Sequence, residues 1–219
     1  MDQLSIAALR AQADRILPAG ADESGLDSHA RALIALGVAA SVTSLDRAAI
    51  AAAIDAALGA GASVAQVEEI ITLVSGLGVH SLMVSQAQLL DTAHARGLLD
   101  AQAPLSAEAE ALWQRHVGDD PFWDGFEREN PGFLQAMLRL SPDLFAAFFA
   151  YCAVPWKSGT VRAKIKELAA MACDAAPGHR FAPGFRLHLA NAIALGATRA
   201  DVFDALDIAT ATPEHRGTP

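Results

Sequence analysis

The sequence predicts an all-α protein, and three observations support this prediction. Apolar residues make up 53% of the 219-residue chain but aromatic residues only 6%, and alanine, the strongest helix former, dominates many segments. Helix-capping residues stand in front of apolar residues that recur at helical spacing. No segment alternates apolar and polar residues for long enough to predict a β-strand. A helical chain of this length is long enough to bury a hydrophobic core.

Four helices are predicted in the first half of the chain, three of them introduced by residues that cap helices well. The side-chain oxygens of Asp27, Ser44 and Ser63 can each accept a hydrogen bond from a first-turn N–H. Gln66, three residues after Ser63, completes a capping-box pattern. The predicted helices run from Ser28 to about Ala40, from Ser44 to about Leu58, from Ser63 to about Val74 and from about Val79 to about Ala95.

The second half carries similar signals. Ser106, followed by two glutamates, predicts the start of a helix. Three dipeptides combine a good N-cap with proline at the first helical position, where a missing N–H costs nothing: Asp120-Pro121, Asn130-Pro131 and Ser141-Pro142. The last three predicted helices run from about Gly159 to Ala175, from about Pro183 to Leu195, and from the Thr198 cap to about Thr210.

The two halves of the chain resemble each other when Ala56 is aligned with Asn191. This repeat alignment pairs the stretch AALGAGASVAQVEEI (56–70) with NAIALGATRADVFDA (191–205), and their glycine turns coincide. Self-similarity of this kind indicates a duplicated helical unit. The repeats would cover about 28–98 and 160–215. The alternative is two unrelated helix hairpins with similar capping residues.

The charge and the apolar pattern exclude some classes of partner. The formal net charge is -9 at pH 7, whereas binding to nucleic acid or to anionic lipid needs a clustered basic surface. No apolar run approaches the roughly 18 residues that predict a membrane span. The opening stretch MDQLSIAALR lacks the basic start of a signal peptide. We therefore expect a cytoplasmic protein without nucleic-acid or membrane partners.

Two stretches in the second half resemble a known family. VRAKIKELAAMACDA (161–175) places a Lys-Glu-Leu triplet in a helix, and HLANAIALGATRADVFDALDIA (188–209) places a histidine before a Gly-Ala-Thr turn and an acidic helix. This combination is similar to the core of the carboxymuconolactone decarboxylase and alkylhydroperoxidase D-like superfamily. The resemblance implies two tandem alkylhydroperoxidase D-like repeats packed into one helical bundle, the first degenerate (1–100) and the second carrying the motif (101–219).

The cysteines distinguish two chemistries within this superfamily. Peroxidase members carry a Cys-x-x-Cys pair just before the histidine, and the matching positions here are Phe181 and Gly184. A disulfide-cycling peroxidase needs a low-pKa thiolate with a resolving partner close by. Cys152 and Cys173 fill neither position and form no zinc pattern. We therefore expect two buried free thiols, no metal, no cofactor and no thiol peroxidase activity.

Glu167 and His188 are the candidate catalytic residues. In members without the cysteine pair, the resemblance implies acid/base residues near a pocket between helices, acting without a cofactor. A carboxylate that holds a histidine in one tautomer suits this task, because histidine titrates near neutral pH. We expect Glu167 within direct or one-water reach of the His188 ring. The alternative is a buried, hydrogen-bonded pair with a structural role.

Four further residues are candidates for substrate binding. Phe181 and Gly184 occupy the positions of the peroxidase thiols, and we expect the absent thiol at Gly184 to leave room for a ligand or water beside His188. His80 stands where family members carry a glycine-rich turn that can border the pocket; its alternative role is helix-end packing. His179 precedes the His188 helix, and we expect it either to face an acidic substrate or to lie in an exposed loop.

The first half lacks the candidate residues. The repeat alignment places Ala32 at the position of Glu167 and Ala53 at the position of His188. We expect the first half to act as a packing partner for the second. Single-repeat family members form rings of identical subunits, so the resemblance implies a homodimer to homotrimer of this chain.

Three functions follow from these residues and from the resemblance. The first is carboxymuconolactone decarboxylase-like, cofactor-independent acid/base chemistry on a small organic acid or lactone. The second is a non-catalytic helical module for oligomerisation or ligand binding. The third, an alkylhydroperoxidase-type antioxidant, rests on the family label alone and is disfavoured by the missing Cys-x-x-Cys pair.

Overall fold

The structure, a computed structural model, describes residues 5–17, 24–213 and 215 of the chain. Every regular element in these residues is helical, which confirms the predicted all-α class. Thirteen α-helices occur in this part of the chain: α1 (Ile6–Ile16), α2 (Ser28–Ala40), α3 (Arg47–Gly59), α4 (Val64–Ser75), α5 (His80–Ala95), α6 (Ala107–His116), α7 (Phe122–Glu129), α8 (Phe133–Leu140), α9 (Pro142–Cys152), α10 (Val154–Ser158), α11 (Ala163–Ala175), α12 (Ala182–Ala194) and α13 (Arg199–Thr210). A short 3-10 helix, Gly76–Val79, joins α4 to α5.

Capping signals predict several of these helices correctly. α2 follows Asp27, whose side chain accepts a first-turn N–H at 2.7 Å. α4 and α13 each begin with a capping box, formed by Ser63 with Gln66 and by Thr198 with Asp201. Each of these caps satisfies N–H groups that have no partner inside the helix.

Other predicted helix starts lie at different residues. The N-cap of α3 is Asp46 rather than Ser44, because Ser44 is buried and Asp46 Oδ1 accepts from the Ala49 N–H at 2.9 Å. α8 begins after Gly132, which has a φ of 74°, so Asn130-Pro131 forms part of the preceding turn instead of the first helical turn. The sequence signals do not predict α1 or α10.

The chain divides into two compact units, which are described separately. The first unit comprises Met1–Leu77 and Val154–Pro219, and the second comprises Gly78–Ala153. The predicted division between residues 100 and 101 follows the sequence repeat rather than these units, and it stays a prediction.

α11 is the central helix of the first unit. Every residue from Ile165 to Ala175 is buried, and the helix packs against α2, α4, α12 and α13. Small side chains, among them Ala169 and Ala172, are 0% exposed and let neighbouring backbones approach closely. The central helix also buries three charged side chains, Lys166, Glu167 and Asp174. Burial of a charged side chain is unfavourable unless a partner compensates it.

Helix bounds within the first unit coincide in the repeat alignment. The first and last residues of α2, α3 and α4 fall on those of α11, α12 and α13. The left-handed turns coincide as well: φ is 49° at Leu45 and 51° at Arg180, and 89° at Gly61 and 82° at Gly196. Matching helix order, helix length and turn conformation are what a duplicated unit requires. A common origin of the two halves stays a prediction.

Ion pairs between these two sets of helices correspond in the same alignment. Lys166 Nζ on α11 donates to Glu69 Oε1 on α4 at 2.6 Å, and Arg31 on α2 pairs with Asp204 on α13 at 2.5 Å. The repeat alignment places Arg31 on Lys166 and Glu69 on Asp204. Each set therefore provides a cation for the other's carboxylate, as expected of two elements related by an approximate two-fold axis.

The same two carboxylates bind backbone N–H groups that lead into the opposite set of helices. Glu69 Oε2 accepts from the N–H groups of Thr160 at 3.1 Å and Val161 at 3.2 Å. Asp204 Oδ2 accepts from the Leu26 N–H at 2.8 Å. Val161 and Leu26 also correspond in the repeat alignment. These bonds fix the segments that lead into α11 and α2.

The second unit, α5 to α9, has an aromatic core. The Phe133 ring centroid lies 5.6 Å from that of Phe148, and the Trp123 centroid lies 5.2 Å from that of Phe149, both edge to face. The His116 ring stacks on Phe149 with centroids 4.7 Å apart. Such aromatic pairs add to the free energy gained by burial alone and stabilise the packing of these short helices.

One helical run is long and apolar. Val64–Ala95 is 32 residues long and contains an 18-residue window with a mean hydropathy of 1.5, which by length and composition alone is enough for a membrane span. This finding differs from the expectation that no apolar run approaches that length. α4 nevertheless buries Val67, Ile70 and Val74 within the first unit, so packing accounts for the apolar residues of that part of the run.

The buried ion pair links stability to pH. Burial alone would raise the pKa of the Glu69 carboxyl, but its hydrogen bonds, above all that from Lys166, outweigh burial and lower the pKa to about 2. The folded-state pKa therefore lies below the ordinary 4.5. The pair stabilises the fold fully above about pH 4.5, and this contribution is lost as the pH falls toward 2.

We predict that Glu69→Gln destabilises the protein far more than Asp204→Asn. The side chains of Lys166 and Glu69 are each 2% exposed, so Glu69→Gln leaves a buried ammonium without its counter-charge, at a cost of about 3–5 kcal/mol. Those of Arg31 and Asp204 are 46% and 19% exposed, so water can replace the lost partner and the cost should be about 1 kcal/mol or less. Urea unfolding followed by circular dichroism measures both, and equal losses would contradict the prediction.

Candidate functional site

Glu167 and His188 meet where α11 packs against α12. His188 Nδ1 lies 2.6 Å from Glu167 Oε2, and Asn191 Nδ2 donates to Glu167 Oε1 at 3.2 Å. This geometry confirms the expected direct reach between the two side chains. Because an ionised carboxylate only accepts hydrogen bonds, Nδ1 is the donor in this contact. Neutral His188 is therefore the tautomer with its hydrogen on Nδ1 and a lone pair on Nε2. The Asn191 amide, which the sequence analysis did not identify, fixes the other oxygen of the carboxylate.

A second carboxylate lies on the opposite side of the His188 ring. Asp174 Oδ2 is 4.0 Å from His188 Nε2, and Asp174 Oδ1 is 3.4 Å from His179 Nε2. Asp174 follows Glu167 by seven residues on α11, which is two helical turns and therefore the same face. Asp174 was not predicted from the sequence. The spacing of seven residues between two carboxylates in an otherwise apolar stretch is the sequence feature that could have indicated it.

Gly184 makes room for the Asp174 carboxylate rather than for a ligand. A Cβ atom at this position would lie 2.3 Å from Asp174 Oδ2 and 2.9 Å from Phe181 Cδ1. The expectation that the missing thiol leaves free space beside His188 is therefore wrong, because the carboxylate fills that space. Glycine at residue 184 lets a buried acid approach the imidazole.

The other predicted site residues fall into two groups. His179 and Phe181 lie in the segment between α11 and α12, their ring centroids 6.1 Å apart. The Phe181 N–H donates to the Asp174 carbonyl at 2.9 Å, and the His179 side chain is 13% exposed, so His179 is not an exposed loop residue. His80 begins α5 in the second unit and is buried. Substrate binding by Phe181, Gly184, His80 and His179 stays a prediction.

Asp174 and His188 have shifted pKa values, and Glu167 contributes to the shift of His188. Burial lowers the pKa of His188, but the hydrogen bond and charge of Glu167, together with the charge of Asp174, outweigh burial and raise that pKa above the ordinary 6.5. The pKa of Asp174 is raised above its ordinary value, because burial outweighs the hydrogen bond from His179 and the charges of His188 and His179, which act in the opposite direction. The two carboxylates therefore favour the protonated form of His188.

Neither cysteine has the environment of a reactive thiol. Cys173 is fully buried, and burial raises its pKa well above the ordinary value for a thiol. Cys152 is half-buried, and burial raises its pKa to about 11. Thiolates are the nucleophiles in disulfide chemistry, so both residues are poor candidates for peroxide reduction.

The polar residues of the site belong to the second of the two aligned sets of helices, α11 to α13; the first set is α2 to α4. In the repeat alignment, Glu167, Asp174, His188 and Asn191 correspond to alanines, at residues 32, 39, 53 and 56. The first set therefore has the same helix bounds without these polar side chains. This difference concentrates the candidate chemistry between α11 and α12.

The site lies in the part of the chain that matches a known family. The model of the carboxymuconolactone decarboxylase family matches residues 142–214. The chain is also similar to a Burkholderia xenovorans protein that has been proposed to be a gamma-carboxymuconolactone decarboxylase subunit. The two sequences are 33% identical, and the match covers 84% of this chain and 72% of the other. The crystal structure of that protein superposes on this one with a TM-score of 0.72. The chain therefore belongs to the carboxymuconolactone decarboxylase family. A comparison with curated proteins gives no significant match.

We predict that His188 titrates above pH 6.5 and that Glu167→Gln lowers its titration midpoint. The neutral amide removes the hydrogen-bonded negative charge that favours the imidazolium. Since the folded-state pKa is raised above 6.5, the pair stabilises the fold fully below that pH and loses this contribution as the pH rises through the raised pKa. NMR titration of the histidine rings, with His188→Ala for assignment, measures the midpoint; a wild-type value at or below 6.5 would refute the prediction.

Proposed function

We propose that this protein is a cofactor-independent, decarboxylase-like lyase that acts on a small organic acid or lactone. The observation that carries the proposal is the 2.6 Å contact between Glu167 Oε2 and His188 Nδ1. It leaves Nε2 as the nitrogen that can exchange a proton with a substrate. Family membership supports the choice of reaction class.

Each residue of the pair has a distinct role in this proposal. Glu167 orients the imidazole and stabilises its cation, and Asn191 holds Glu167 in place. His188 acts as general acid or base through Nε2. In a decarboxylation the bond to the carboxylate carbon breaks, CO₂ leaves, and the electron pair stays on the substrate until it takes up a proton. A histidine that titrates near neutral pH is suited to supply that proton.

A non-catalytic helical module is the second candidate. The observation that favours it is burial: the side chains of Glu167 and Asp174 are 8% and 0% exposed and that of His188 is 18% exposed. A buried polar cluster of this kind can stabilise helix packing without any turnover. The thiol peroxidase alternative is disfavoured by the missing Cys-x-x-Cys pair and by the burial of Cys173.

We predict that His188→Ala abolishes turnover in a protein that still folds, although the variant is less stable because two buried carboxylates lose their imidazole partner. Loss of a general acid or base lowers the rate by about 10²–10⁴-fold, and alanine is favourable inside a helix. The assay follows loss of CO₂ by mass spectrometry, starting from gamma-carboxymuconolactone and extending to other lactones and carboxylic acids.

The matched control for this assay is His29→Ala. His29 is also a partly buried histidine of the first unit, but its ring faces Gln66 Oε1 at 3.4 Å instead of Glu167. This variant should retain wild-type turnover. Full activity of His188→Ala would refute the assignment of His188. Absence of turnover by the folded wild type on every substrate would favour the non-catalytic module, in which His188 only stabilises helix packing.

We further propose that the chain self-associates as a homodimer to homotrimer, and that its remaining partner is the small-molecule substrate. The support is the resemblance to family members that form rings of identical subunits. Size-exclusion chromatography with light scattering should give two to three times the 22.8 kDa of one chain. A mass of one chain at micromolar concentration would contradict this prediction.

A further inference from the structure

The His188 ring lies between two carboxylates that belong to the same helix. Glu167 contacts Nδ1 at 2.6 Å, whereas Asp174 Oδ2 lies 4.0 Å from Nε2. The first distance is a hydrogen bond and the second is too long for one, so Asp174 acts on the ring through its charge. Among the described residues, these two side chains, both from α11, are the titratable groups that face His188; His179 in turn faces Asp174 at 3.4 Å.

The local structure holds Asp174 in this place. Its side chain is 0% exposed, and burying a carboxylate is unfavourable unless something compensates the charge. The equivalent helix α2 has Ala39 at this position, so a helix with the same bounds forms without the acid. Gly184 provides the space, because a Cβ there would lie 2.3 Å from Asp174 Oδ2. The Asp174 carboxylate can therefore lie beside His188 Nε2 only because residue 184 is glycine.

We propose that Asp174 is a positioning residue that keeps a proton on His188 Nε2, so that His188 enters the reaction as a general acid. This inference rests on the proposed function, which left open whether His188 begins as acid or base. The raised pKa of His188, to which Asp174 contributes, agrees with it. An ionised Asp174 and a protonated His188 stabilise each other in the buried site.

A protonated His188 restricts the reaction to one in which the substrate takes up a proton. A cationic imidazole gives its Nε2 proton to a substrate atom that gains an electron pair, such as the carbanion or enolate carbon left when CO₂ departs. After the transfer the ring is neutral, with its remaining proton on Nδ1 facing Glu167. Nε2 then takes a proton from solvent before the next turnover. Substrates in which a carbon or a lactone oxygen gains an electron pair fit this sequence, whereas abstraction of a proton from a neutral carbon acid does not.

The test measures the titration of His188 by NMR in the full-length protein, without substrate. Asp174→Asn removes the charge with little change of shape, and Gly184→Ala keeps every titratable group but displaces the carboxylate. Both variants should lower the His188 midpoint by about one pH unit, as expected for loss of an opposite charge at this range. The double variant should show no further shift. The signal of the hydrogen-bonded Nδ1 proton should persist in all of them, because Glu167 is intact.

Asp204→Asn is the control, because this carboxylate contacts Arg31 and the Leu26 N–H and should leave the His188 midpoint unchanged. An unchanged midpoint in folded Asp174→Asn or Gly184→Ala would overturn the proposal, as would loss of the Nδ1 signal in Asp174→Asn, which would indicate a merely structural role. If Asp174→Asn does not fold, Gly184→Ala decides alone.

Failure of the proposed function can be told apart from failure of this inference. The titration does not require turnover, so a lowered midpoint supports the action of Asp174 on His188 even when no substrate reacts. Where a substrate reacts, kcat should fall on the alkaline side as His188 loses its proton. Asp174→Asn should move this fall to lower pH and leave KM unchanged, and an unchanged pH profile of kcat would overturn the role as general acid.

Discussion

The burial of three charged side chains on α11 is the constraint on which the first unit depends. An isolated buried charge is strongly unfavourable, so Lys166, Glu167 and Asp174 determine which elements must surround this helix. Lys166 requires the Glu69 carboxylate of α4, and Glu167 and Asp174 require the imidazole of His188 on α12. Hydrophobic burial is non-directional, so apolar contacts specify the rotation of α11 about its axis less tightly than charged partners do. The charged partners restrict that rotation, and in doing so they assemble the candidate site.

The two sets of helices in the first unit have the same backbone arrangement, but the polar residues of the candidate site lie in the second set. They share helix bounds, left-handed turns and reciprocal ion pairs in the repeat alignment. α2 carries alanine where α11 carries Glu167 and Asp174. Since α2 has no buried carboxylate at these positions, no imidazole is needed on α3 to compensate one. The first set can therefore satisfy its packing with apolar contacts alone. The described part of the chain consequently has one candidate reaction centre, although its first unit contains two similar sets of helices.

Local signals predicted the parts of the structure that depend on neighbouring residues. Capping boxes and helical periodicity depend on residues three or four apart, so α2, α4 and α13 could be located from the sequence. The resemblance placed Glu167 near His188, because the family pattern includes both. Asp174 was not predicted, since its meaning depends on how Gly184 on another helix approaches it. The pair between Glu69 and Lys166 joins residues 97 positions apart, and nothing in the local sequence connects them.

The burial of α11 also has a consequence for motion. Amide groups in the most deeply buried helix exchange with solvent only when a large part of the structure opens, whereas partly exposed segments open locally at lower free energy. Glu167 and Asp174 therefore belong to the part of the unit that fluctuates least. His188 on α12 and His179 in the preceding segment are more exposed and can adjust with smaller rearrangements. In this site the two carboxylates therefore lie on the helix that opens last, and the imidazoles lie on segments that open at lower free energy.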